Sequence, residues 1–107
     1  MASVTPFQKA VTDQLRQVAQ PYSVNLDFEE SRIHAVATFY WQGQERMLII
    51  GDGELILAWD GEHYFETPSD PGHIKVKRFI EQFRLCLGGA TATEAYRLAK
   101  RYTGPAG

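Results

Sequence analysis

The chain has a single cysteine, Cys86, in 107 residues. No internal disulfide framework can form from one thiol, and such sparing use fits a reducing compartment. Long hydrophobic stretches are missing too. No apolar run approaches the ~20 residues of a membrane-spanning helix. The opening Met1-Ala2-Ser3-Val4-Thr5-Pro6-Phe7 has no basic segment leading into an apolar one, so no signal peptide is expected and the chain reads as cytoplasmic. There is no internal repeat, no low-complexity tract and no period among the nine glycines, which excludes solenoids and collagen.

The remainder is a globular composition. Hydrophobic residues make up 44%, aromatics 12% and charged residues 22% of the chain. That is too apolar for a disordered tail, and the length favours one domain over 1–107. Its parts are a sheet-rich stretch 1–66, a loop at 67–73 and a helical tail at 74–103.

A helix is predicted to start at Thr5. Thr5 and Gln8 form a capping box, Pro6 suits the first helical position, and Phe7, Val11, Leu15 and Val18 recur at helical spacing. Pro21 ends it. Five strands are predicted next. Residues 22–29 and 32–41 alternate apolar and polar, followed by 46–50, 54–59 and 62–66. Asp60-Gly61 is a strong hairpin signal, because its turn needs positive φ at both positions. Two helices close the chain. The first spans about 74–87 with Val76, Phe79, Ile80, Phe83 and Leu87 as its stripe. The second follows the capping box Thr91/Glu94, with Ala95, Leu98, Ala99 and Tyr102 on its apolar side. The expected fold is α+β: an N-terminal helix, a five-stranded antiparallel meander and two C-terminal helices.

If Gln42-Gly43-Gln44 and Gly51-Asp52-Gly53 are three-residue turns, the registers follow. Phe28 faces Ile33, Leu26 faces Ala35, Phe39 faces Met47, Met47 faces Leu57 and Leu57 faces Tyr64. Phe28, Ala37, Phe39, Met47, Ile49, Leu57 and Tyr64 then share the core face. The opposite face would carry Leu48, Ile50, Ile56, Ala58 and Phe65 beside Val36 and Tyr40. Such a face needs a cover. The expectation is the first helix on the core face and the tail helices over the second patch. Otherwise Tyr40, Leu48, Ile50, Ile56 and Phe65 form an apolar interface, most simply in a two-fold homodimer.

Catalytic and metal chemistry find little support. His34, His63 and His73 are far apart and have no ligand-spaced partners. There is no Gly-x-Ser-x-Gly elbow, and Cys86 between Leu85 and Leu87 reads as a small core residue. Asp52, Glu54, Asp60, Glu62, Glu66 and Asp70 cluster near the meander turns, where acidic residues are common for conformational reasons. Neither Gly51-Asp52-Gly53 nor Gly88-Gly89 is a phosphate cradle. No cofactor, metal or catalytic residue is expected.

Charge, however, is segregated. Residues 1–73 hold four basic and eleven acidic side chains, net −7. Residues 74–107 hold seven basic and two acidic, net +5, and together these make the overall −2. Arg97, Lys100 and Arg101 suit the end of the last helix, where cations meet the negative end of its dipole. Lys75, Lys77 and Arg78 stand near the start of theirs, where positive charge is mildly unfavourable. An anionic partner would account for them.

The order of helix, sheet and a helix headed by Lys75-x-Lys77-Arg78 resembles a double-stranded-RNA-binding domain in layout alone. The sheet is acidic and no Gly-Pro-x-His loop is present. The Gly-Gly-Ala link between the last two helices is similar to a helix-turn-helix, but Arg84 or Leu85 falls where a small residue is needed. Neither family is assigned.

The expected function is therefore a small non-catalytic binding module, an inhibitor, adaptor or regulator. It would meet an acidic protein through Lys75, Lys77, Arg78, Arg84, Arg97, Lys100 and Arg101. The alternative is nucleic-acid binding by the same basic helices. No membrane partner is expected.

Overall fold

The computed structural model describes residues 5–31, 33–51, 54–66, 70 and 72–102, with the backbone alone for 62–66. Helix α1 (Pro6–Ala19) opens with the anticipated capping box. Gln8 N donates to Thr5 Oγ1 at 3.1 Å, and Thr5 N donates to Gln8 Oε1 at 2.8 Å. The Gln8 side chain is fully buried, and its Nε2 also donates to the carbonyls of Ile33 and Ile50, both at 3.3 Å. One glutamine therefore caps the helix and fastens it to the sheet. A 3₁₀ turn (Gln20–Tyr22) follows, and Ser23, at φ 60°, reverses the chain.

The sheet is an antiparallel meander of four strands: β2 (His34–Trp41), β3 (Gln44–Gly51), β4 (Leu55–Trp59) and β5 (Glu62–Glu66). Of the strand expected at 22–29 only Glu29 pairs, opposite Val36, within a two-residue edge segment β1 (Glu29–Glu30). Leu26 and Phe28 are buried all the same, as irregular chain, with the Arg16 guanidinium 5.2 Å from the Phe28 ring. Alternation here marked which side chains go inward. It did not supply ladder partners.

The registers correct the expected core. Gln42 and Gly43, at φ 54° and 79°, make a two-residue turn, so Phe39 pairs with Arg46 and Ala37 with Leu48. The next register is also shifted by one residue: Ile50 pairs with Leu55, and Gly51 N donates to the Glu54 carbonyl at 2.7 Å. Each turn differs by one residue from the expectation, so β3 alone is turned over. Leu48 and Ile50 are fully buried, whereas Met47 and Ile49 lie half-buried on the other face. The Asp60-Gly61 turn has φ 53° and 75°, and Leu57 pairs with Tyr64 as expected.

Helices α2 (Ile74–Leu87) and α3 (Ala92–Ala99) complete the fold. A single buried cluster joins Phe7, Val11 and Leu15 of α1 to Leu48, Ile50, Leu55, Leu57 and Trp59 of the sheet and to Val76, Phe79 and Phe83 of α2. The rings of Phe39, Trp59 and Phe83 meet edge-on or tilted at 6.1–6.4 Å between centroids. The helices thus share one sheet face in a two-layer α+β domain, and the tail helices do not cover the second face as expected. That face carries half-buried Val36, Met47, Ile49, Ile56 and Ala58, with Tyr40 73% exposed. No helix among the described residues is long and apolar enough to cross a membrane. The loop expected at 67–73 falls mostly outside the described residues.

Candidate anion-binding cleft

Helix α2 begins at Ile74, capped by His73, whose Nδ1 accepts a hydrogen bond from Lys75 N at 3.1 Å. Its apolar stripe packs Val76, Phe79 and Phe83 into the core. That rotation sends the flanking positions to two different sides. Lys75, Arg78 and Gln82, at i, i+3 and i+7, face α3. Lys77, Glu81 and Arg84, at i, i+4 and i+7, face Gln14 and Val18 of α1.

The seven basic residues expected to form one surface are therefore divided into three groups. Lys75, Arg78 and Lys100 line a cleft of about 210 Å³ between α2 and α3, together with Gln82, Tyr96 and Ala99. Lys77 and Arg84 lie on the α1 side. Arg84 is neutralised there by a bidentate pair with Glu81, Nε to Oε1 at 2.7 Å, which raises the guanidinium pKa. Arg97 and Arg101 sit beside Glu94 and exposed Leu98 on the outer side of α3. A stripe of charge in the sequence became three separate fields because successive basic residues point to different sides of their helices.

The cleft is ordered by contacts that leave its charge intact. Arg78 Nε donates to the Tyr102 carbonyl at 3.1 Å, which aims the guanidinium. Lys100 Nζ stands 5.0 Å from the centroid of the Tyr96 ring. Among the described residues no carboxylate lines the cleft, and no ion pair involves Lys75, Arg78 or Lys100. At its wall Gln82 is only 2% exposed, and its Nε2 has no hydrogen-bond partner. An unbonded buried donor costs about 1–3 kcal/mol. Sequence reading passed over Gln82 and Tyr96. The available signal was a polar residue set between Phe79 and Phe83 on the stripe shared with Lys75 and Arg78.

Other expected sites are placed as follows. Cys86 is 1% exposed, and burial pushes its thiol up to about 12, with the Asp60 charge adding to the effect. It is a neutral core residue at ordinary pH. Among the described residues no group of three His, Cys, Asp or Glu converges as metal ligands would. Of the expected apolar interface, Leu48 and Ile50 are in the core instead. Tyr40 and Ile56 lie on the open sheet face, and the Phe65 side chain is outside the described residues.

A second cation is held very differently. Arg46 is 4% exposed, with NH1 2.8 Å from Asp60 Oδ1, Nε 3.3 Å from the Trp41 carbonyl and its guanidinium 4.2 Å above the Trp59 ring. It ties the two hairpin turns at one end of the sheet. Compared with protein-family models, curated proteins and solved structures, the chain matches none.

Proposed function

We propose that the protein is a non-catalytic binding module that engages an acidic protein partner through the cleft between α2 and α3. The observation that carries this reading is the convergence of Lys75, Arg78 and Lys100 on one concave site with no carboxylate among its described lining residues. Three cations held together repel one another, and an anionic partner relieves that repulsion. Exposed salt bridges contribute little, but charge-assisted hydrogen bonds in a concave site contribute roughly twice as much as neutral ones.

Nucleic-acid binding, the competing reading, asks for cations that follow a phosphate backbone along one surface. The division into three groups favours a localised anionic group over a polymer. The test is a paired capture from cell extract, with the parent and a Lys75→Glu/Arg78→Glu/Lys100→Glu variant as baits. A protein retained by the parent alone and released by salt supports the reading. Equal retention by both baits refutes it, and nuclease-sensitive retention transfers support to nucleic acid.

The open sheet face supports a second contact, self-association into a two-fold homodimer. Val36, Met47, Ile49 and Ile56 offer a half-buried apolar surface there. Light scattering tests it: a dimer that becomes a monomer in an Ile49→Glu variant supports the reading, and a monomeric parent removes it.

A further inference from the structure

We infer that the α2–α3 cleft is a subsite for a phosphoryl group carrying close to two negative charges. The inference rests on the binding reading above and adds the chemical group that the cleft recognises. Four observations converge. The charge on Lys75, Arg78 and Lys100 exceeds what a single carboxylate can offset. A phosphomonoester brings about −1.5 to −2 charge and three acceptor oxygens, enough for several donors at once. The volume, about 210 Å³, lies below the ~300–1,000 Å³ typical of sites for drug-sized ligands, so it suits a head group and not a whole nucleotide.

Orientation adds to this. The Arg78 guanidinium is held by the Tyr102 carbonyl through Nε, which leaves its terminal nitrogens as the fork that suits phosphate oxygens. Gln82 supplies the independent observation: a side chain 98% removed from solvent, at the cleft wall, with a donor that bonds nothing. The last torsion of a glutamine is broad and soft, so a turn of the amide presents Nε2 to a bound oxygen.

The full chain is titrated with inorganic phosphate and, separately, with a phosphoserine peptide. Backbone amide shifts are followed by NMR, with potassium chloride at matched ionic strength as the control. The expected result is saturable binding with shifts confined to α2 residues near Lys75 and α3 residues near Lys100. Tighter binding of the peptide assigns the natural source to a phosphorylated partner, and tighter binding of inorganic phosphate assigns it to the free ion. Gln82→Leu should weaken either probe roughly tenfold or more, since a hydrogen bond to a charged group is lost. A purely structural Gln82 would leave the affinity unchanged. Lys75→Gln/Lys100→Gln, confined to the rim, should weaken binding at least as much, whereas Arg97→Gln/Arg101→Gln should leave it unchanged. Shifts that match the chloride control, or an affinity equal to the parent's in the Gln82 and Lys75/Lys100 variants, overturn the inference. If phosphate does not bind while the Lys75→Glu/Arg78→Glu/Lys100→Glu variant still loses its captured protein, the phosphoryl assignment falls and the binding reading stands.

Discussion

Removing the Asp60 side chain isolates the cost of stranding a buried cation. Arg46 is 4% exposed and depends on Asp60 for its only ion pair among the described residues, at 2.8 Å. Asp60→Gly suits the purpose because residue 60 has φ 53°, a conformation glycine adopts without strain. Breaking a buried pair by deleting one partner costs ~3–5 kcal/mol in fully desolvated sites. Here the Asp60 side chain is 38% exposed, so water can enter beside the stranded guanidinium, and about 2–3 kcal/mol is expected. Arg46→Met removes the charge itself and keeps an apolar side chain against Trp59, leaving a carboxylate that is already partly hydrated. Its cost should be smaller, about 0–1.5 kcal/mol. Urea unfolding followed by tryptophan fluorescence reads both, because Trp59 lies in the core at 2% exposure. With a urea dependence of ~1–3 kcal/mol per molar, Asp60→Gly should lower the midpoint by roughly 0.7–3 M. The double variant should resemble Arg46→Met, since no unpaired buried charge remains. If Arg46→Met proves as damaging as Asp60→Gly, the arginine acts through packing and its contact with the Trp59 ring, and the desolvation reasoning fails.

Gln8→Leu should cost about 2–4 kcal/mol by thermal or urea unfolding, because it removes the cap partner and leaves the buried Ile50 carbonyl without its Gln8 donor. Phe83→Ala, at a site with no exposure, should cost ~3–5 kcal/mol, and Phe39→Ala, half-buried, should cost less. Equal costs would mean that the Phe39 ring is as deeply packed as Phe83. Cys86 makes stability pH-dependent on the alkaline side. Its folded pKa is raised to about 12 from an ordinary 9.0, so the folded state holds the proton more tightly. That stabilisation is complete below pH 9 and is lost as pH climbs towards 12, with a slope of up to about 1.4 kcal/mol per pH unit. Cys86→Ala should abolish this slope in denaturation curves across that range, and a slope that survives the substitution assigns it to other groups.

Much of the fold was legible because its determinants are local. The Thr5/Gln8 box, the Thr91 side-chain cap on Glu94 N, the Pro6 start and the Asp60-Gly61 turn each depend on a few neighbouring residues, and each formed where the sequence placed it. Cys86 between two leucines was recognisable as a core position for the same reason. Strand register was not local in this sense. Whether Gln42-Gly43 closes as two residues or three depends on which face of β3 finds the helices. Both faces of β3 are apolar, Met47 and Ile49 on one, Leu48 and Ile50 on the other, so hydrophobicity alone did not discriminate. Only the tertiary packing of α1 and α2 on a single sheet face decided it. The basic tail divides along the same line. Its excess charge could be counted from the residues, but the turn of α2 that buries Phe79 and Phe83 chose which cations converge. By itself the sequence determined the three helices, the four long strands, their order and the surplus of positive charge after residue 73. The side of each helix and strand that meets water, and hence the cleft of Lys75, Arg78, Gln82 and Lys100, came from the one arrangement that buries the large aromatic side chains together.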